Sequence, residues 1–183
     1  MGDLLRYNLG GCGKDPGRIT VNLRAPADII ADIVNLDSFC KDGAADEFFM
    51  SHTLEHVPLE FYLAFLTGLW KKLKPGGVLW VIQSDAGAVI DMWKRGEIRF
   101  RSMRTVLFTP AHRVRENPLQ RHHNMWSQYE MCRDLQKIGF IVHSMPVQPW
   151  SYDHDDELFP GDTSADHGKL IPNLSVQAVR PLR

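Results

Sequence analysis

The chain has 183 residues, 44% hydrophobic and 23% charged, a balance that fits one globular domain over 1–183 and excludes a disordered or fibrous chain. A formal net charge of −1 gives no overall bias toward nucleic acid or an anionic membrane surface. Three scattered cysteines (Cys12, Cys40, Cys132) argue against a disulfide framework, no apolar run approaches a membrane span, and the opening Met1–Arg6 has neither a basic nor a long apolar stretch, so a cytoplasmic location is expected.

The apolar run Leu4–Leu9 predicts a first strand, closed by the cluster Gly10-Gly11-Cys12-Gly13. Ile19–Leu23 is β-branched and alternating, Asp28–Val34 follows Pro26, and Phe48-Phe49-Met50 follows the acidic pair Asp46-Glu47; these predict strands two to four. Leu59–Leu73 predicts a helix, with Leu59, Tyr62, Leu63, Leu66, Trp70 and Leu73 along one face and Lys71, Lys72 and Lys74 at its negative end. Pro75-Gly76-Gly77 stops it. Val78–Ile82 is continuously apolar, the pattern of a strand covered on both faces. Ser127 and Glu130 form a capping box for a helix that turns Met131, Leu135 and Ile138 inward and ends at Gly139. Phe140–Val147 and Leu174–Val179 predict the last strands. Strands alternating with helices predict an α/β fold, a mostly parallel sheet wrapped on both sides.

The stretch from about Asp91 to Asn124 breaks this alternation and reads as an irregular insertion. Residues 94–121 hold eight Lys or Arg against two acids, while 153–167 hold six acids and no Lys or Arg. Two solvated loops, one pairing with the other, account for this; so does a basic lid over a site for an anionic acceptor.

Two motifs carry chemistry. The glycines after strand one let the backbone turn tightly and approach a ligand, so a side chain at Gly10 or Gly13 is expected to block binding and spare the fold. The spacing lacks the full dinucleotide fingerprint and the P-loop ending. Ser51-His52-Thr53-Leu54-Glu55-His56-Val57-Pro58 lies between strand four and the best helix, where α/β sheets bind ligands. His52 and His56 are candidates for proton transfer or ligand contact. The same letters match the H-x-x-E-H zinc pattern, which needs both histidines on one helical face. Pro58 disfavours helix through Val57, so no metal ligand is assigned, and a zinc hydrolase using His52, Glu55 and His56 is the minor alternative.

Taken in order, Asn8-Leu9-Gly10 to Gly13, Asp46-Glu47-Phe48, Ser51–Pro58 and Leu73-Lys74-Pro75-Gly76-Gly77 resemble the class I S-adenosylmethionine (SAM)-dependent methyltransferases, in particular a compact bacterial type 11-like group with "NLGCG" and "SHxLEHV" signatures. The resemblance runs from Leu5 to Pro181. It implies a Rossmann-like, doubly wound sheet of seven strands in the order 3-2-1-4-5-7-6, with strand seven antiparallel. It also implies SAM as cofactor, held by Asn8, Gly10, Gly11 and Gly13 around its methionine and ribose. Asp32 and Ile33 would lie near the adenine and Ser51 and His52 near the sulfonium, with Leu54 also among the cofactor-binding residues. The reaction implied is methyl transfer to an oxygen or nitrogen of a small-molecule or glycan acceptor, with His52, His56, His112, His122 or His123 as candidate base. Two features depart from the family: the extra glycine in the loop, and Asn22 or Arg24 where an acid normally binds the ribose hydroxyls. Asn22 is therefore expected to hold the ribose weakly, or to mark a non-catalytic binding domain. The helix that usually precedes strand one is not expected from the short opening segment.

Overall fold

The computed structural model describes residues 4–11, 13, 15–109, 111–145, 149–151 and 170–182. Seven strands form the main sheet: β1 (Arg6–Leu9), β2 (Ile19–Asn22), β3 (Ile29–Ile30), β4 (Ala45–Ser51), β5 (Leu73–Ser84), β6 (Ile141–Ser144) and β7 (Asn173–Val179). Their order is β3-β2-β1-β4-β5-β7-β6. The first five run parallel, and β7 lies antiparallel between β5 and β6. This is the order expected from the resemblance.

Helix α1 (Leu59–Lys72) begins after Pro58, which caps it from an extended conformation, and carries Lys71 and Lys72 in its last turn. Its buried stripe is Tyr62, Phe65, Leu66 and Leu69, whereas Leu59 and Leu63 are 67% and 58% exposed. The stripe expected from periodicity is thus rotated, because a helix this apolar satisfies the i, i+3, i+4, i+7 spacing on two overlapping faces. These four side chains meet Tyr7, Leu9, Phe48 and Met50 from the sheet and Met131 and Leu135 from helix α5, introduced below. Each large side chain so buried contributes about 1.5–3 kcal/mol. Tyr7 stacks on Phe48 with ring centroids 5.4 Å apart.

After α1 the chain enters β5 at once. Leu73 pairs with Ala45 and Val78 with Glu47, so Lys74–Gly77 bulge out of the ladder, Gly76 taking φ +79°. Burial then alternates along β5: Leu79, Val81 and Gln83 face the helices, while Val78, Trp80 and Ile82 are half-buried on the other side. The expectation of a strand covered on both faces is not met at Val78–Ile82. Chain length explains it: among the described residues, β1–β2 and β2–β3 are joined without a helix, and only a 3₁₀ turn (Leu36–Ser38) precedes β4.

The insertion is helical rather than irregular. Helices α2 (Ala86–Lys94), α3 (Phe100–Phe108) and α4 (Ala111–Glu116) follow β5. Asp85 caps α2 by accepting from Ala88 N. Val89, Ile98, Met103, Val106 and Leu107 join Ile171 in a second small core. Helix α5 (Gln128–Ile138) has the expected capping box and ends at Gly139 in the left-handed conformation. The predicted third strand shrinks to two residues because its exposed polar members bond neighbouring backbone and Thr20 instead of continuing the ladder. Asp28 accepts from Thr20 N and Oγ1, both at 2.8 Å, and Asp32 accepts from Val34 N at 3.0 Å. Part of the predicted strand Phe140–Val147 and the acidic stretch 153–167 lie outside the described residues. Among the described residues, no helix is long and apolar enough to cross a membrane.

Candidate functional site

Strands β1, β2 and β4 end together, and the loops that leave them meet at one edge of the sheet. Gly10 and Gly13 have φ +80° and +88°, which a side-chain-bearing residue adopts only with strain. Gly10 N donates to Val21 O at 2.8 Å, and Gly13 N to Pro26 O at 2.8 Å. Asn22 Nδ2 donates to the carbonyls of Gly10 and Gly11 at 3.0 and 3.2 Å. Asn8 lies beneath Gly11 and donates to Asp15 Oδ2 at 2.8 Å. The two asparagines therefore brace the turn.

Thr53, the variable position of the SHxLEH signature, completes the brace. Its hydroxyl donates to Leu9 O at 3.0 Å, and its side chain covers Gly10. A Cβ built on Gly10 would stand 2.5 Å from Thr53 Cγ2 and Oγ1. A side chain there disrupts the fold itself, contrary to the expectation that only ligand binding would suffer. Among the described residues nothing lies within 4 Å of a Cβ built on Gly13, so they leave the outer lip of the turn open. Two concavities of about 480 and 310 Å³ are lined by other residues, the first around α2 and the second between Val34–Asp42 and α1.

The loop after β4 is tightly held. His52 N donates to Ile82 O at 2.9 Å while its backbone takes φ +49°, an uncommon conformation for a non-glycine residue that concentrates at functional sites. Leu54–His56 form a single 3₁₀ turn, and helix begins only at Leu59. His52 and His56 thus do not share a helical face, and the H-x-x-E-H reading loses its geometry. Ser51 and His52 are exposed at the edge, whereas Leu54 is 1% exposed in the core, which removes its side chain from ligand contact. Asp32 is exposed two residues beyond β3, and Ile33 packs against the main core.

From the far side of the insertion, residues 121–124 dock on this loop. His123 N and Asn124 N donate to Glu55 O at 2.7 and 3.3 Å, and Asn124 Nδ2 donates to Val57 O. His56 Nδ1 bonds Arg121 O at 3.0 Å, and the His56 and His122 rings meet edge to face at 5.1 Å. Glu55 is buried, with Oε1 3.4 Å from His52 Nδ1. Burial alone would raise its pKa, but the bond and charge of His52 and the nearby His56 hold the carboxyl below its usual range. Burial pushes the His122 imidazole down. His122, one of five histidines considered as a base, is thus placed beside His56 across 65 residues of sequence. Cys12 lies outside the described residues, as does the His112 side chain.

No protein-family model matches the chain, and neither does any curated protein. Solved structures do. A SAM-dependent methyltransferase from Methanosarcina mazei superposes with TM-score 0.60 at 11% identity, over 100% of this chain and 95% of that one. A SAM-dependent methyltransferase from Mesorhizobium loti gives 0.57 at 16% identity, over 98% and 92%. The 1,6-didemethyltoxoflavin-N1-methyltransferase of Burkholderia thailandensis, solved with its namesake compound and S-adenosylhomocysteine, gives 0.55 at 14%, over 97% and 71%. At these identities the likeness is one of fold. With its strand order and antiparallel β7, this chain has the class I methyltransferase fold.

Proposed function

We propose that the chain binds SAM at the carboxyl edge of β1, β2 and β4 and transfers its methyl group to an oxygen or nitrogen of a small-molecule or glycan acceptor. The observation that carries this reading is the Thr53–Leu9 bond, which joins the glycine turn and the Ser51–His56 loop at one crevice edge of that fold. The open lip at Gly13 leaves room for the ligand, as the cofactor requires. Gly10, Gly11 and Gly13 would hold the methionine and ribose by backbone, with Asn8 and Asn22 keeping the turn in shape. Asp32 and Ile33 would lie near the adenine.

When bound, SAM supplies an already activated methyl group, so the chain's own task is alignment and proton removal. His52 is the leading base, being exposed at the edge and oriented by Glu55. Ser51 sits beside it. His56 is committed to Arg121 O and serves to position the loop. The basic residues of 94–121 would favour an anionic acceptor.

Asn22 supports a second reading. Its amide is spent on the turn, and a carboxylate for the ribose diol is missing from the end of β2, as in a non-catalytic binding domain. Calorimetry with SAM and S-adenosylhomocysteine separates the two. Saturable binding of both, with formation of S-adenosylhomocysteine in the presence of acceptor, is expected; a folded chain that binds neither leaves the non-catalytic domain.

A further inference from the structure

Glu55 presents an anomaly. It is 6% exposed, and its Oε2 is buried without a hydrogen-bond partner among the described residues. A carboxylate oxygen so placed is costly unless a cation meets it. Around it stand two imidazoles: one nitrogen from each of His56 and His122 and one Glu55 oxygen all lie within 4.8 Å of one another.

We propose that Glu55, His56 and His122 form a binding site for a divalent transition-metal ion of the zinc type. The imidazoles are oriented for it. His56 Nδ1 is bonded to Arg121 O at 3.0 Å and His122 Nδ1 to Leu107 O at 3.3 Å. A carbonyl only accepts, so each Nδ1 carries the proton and each Nε2 keeps its lone pair. Backbone carbonyls fix the tautomer in this way behind metal-bound histidines.

Two histidines and a glutamate form a donor set that suits zinc and leaves a fourth position open. At metal–ligand bonds of about 2.0–2.2 Å the ligand atoms of a tetrahedral site stand roughly 3.3 Å apart, so the cluster would contract by up to about 1.5 Å on loading. The ion would clasp the 3₁₀ turn after β4 to the segment that follows the insertion, which hydrogen bonds already hold together. This set differs from the H-x-x-E-H pattern, since His122 replaces His52. It shares Glu55 with the methyl-transfer reading, in which Glu55 Oε1 faces His52.

The test uses the untagged chain, stripped with chelator and titrated with Co²⁺ alone. One ion per chain is expected, with the visible absorption of a four-coordinate site and displacement by Zn²⁺. Glu55→Gln, His56→Gln and His122→Gln should each weaken binding at least about tenfold. His143→Ala, on the exposed strand β6, should leave it unchanged. His56 is only half-buried, so His56→Gln carries the comparison if the Glu55 or His122 variant fails to fold. A wild-type chain that takes up no Co²⁺, or a folded His56→Gln variant with wild-type affinity, overturns the proposal. SAM is absent from the assay, so failure of the methyl-transfer reading leaves its outcome untouched.

Discussion

Thr53 and Gly10 occupy one another's space: the threonine side chain lies where a β-carbon on the glycine would be, and its hydroxyl holds Leu9 O at 3.0 Å. The turn after β1 and the loop after β4 are therefore fitted parts of one edge. Gly10→Ala should cost about 1–3 kcal/mol, from positive φ and from the clash. Thr53→Ala should cost about 1 kcal/mol for the lost bond. Combined, they should cost less than their sum, because removing the threonine relieves the clash. Urea unfolding of the four proteins measures this, and strict additivity would show the contact to be unimportant.

Asn22 invites repair toward the family's acid, and the structure predicts that repair will fail. Nδ2 donates to two carbonyls, whereas an aspartate at this position can only repel them. Asn22→Asp should lower stability by about 1–3 kcal/mol and bring no gain in SAM affinity. Thermal melts with calorimetry check both. Tighter binding by a fully stable variant would mean that the side chain is free to reach the ribose.

His52 combines backbone strain with an exposed imidazole. Asparagine tolerates the left-handed region better, but the buried Glu55 carboxylate loses its imidazole partner, so His52→Asn should lower stability by about 1 kcal/mol net. Methyl transfer should fall roughly a hundredfold or more at saturating SAM, as expected for loss of a general base. Unimpaired turnover would remove His52 from the chemistry.

Lys72 turns a buried stem toward two exposed carboxylates, Asp37 and Asp42. Burial alone would lower its pKa, but both partners hold it above its usual value; the Lys72 hydrogen bond holds Asp42 below its own. A lowered aspartate contributes stability above the unfolded value near 3.9 and loses it as pH falls through the folded one. A raised lysine contributes below about 10.4 and loses it as pH climbs through its folded value. Lys72→Met should therefore stay within about 1 kcal/mol of wild type near neutrality and flatten stability at both extremes. Denaturation midpoints across the pH range test this.

The parallel strands β1, β2, β4 and β5, the capping box at Ser127 and the stop at Gly139 are visible in the sequence because each rests on local periodicity or turn chemistry. Helix α3 is not, because Ser102 and Thr105 interrupt its buried face and Arg99 at its start makes no side-chain cap. Helix α2 has a readable signal in the Asp85 cap. The site divides the same way. The glycine turn and the Ser51–Pro58 loop stand out as motifs, whereas Thr53 reads as a variable letter and gains its role only through Gly10. His122 reaches His56 through folding of the whole insertion, which no local pattern encodes.

The two-residue length of β3 has a bearing on solubility. It forms one border of the main sheet, and a strand so short exposes only a few free amides and carbonyls to a passing chain. That border ends the ladder and discourages edge-to-edge pairing, a protection that costs no added charge or proline.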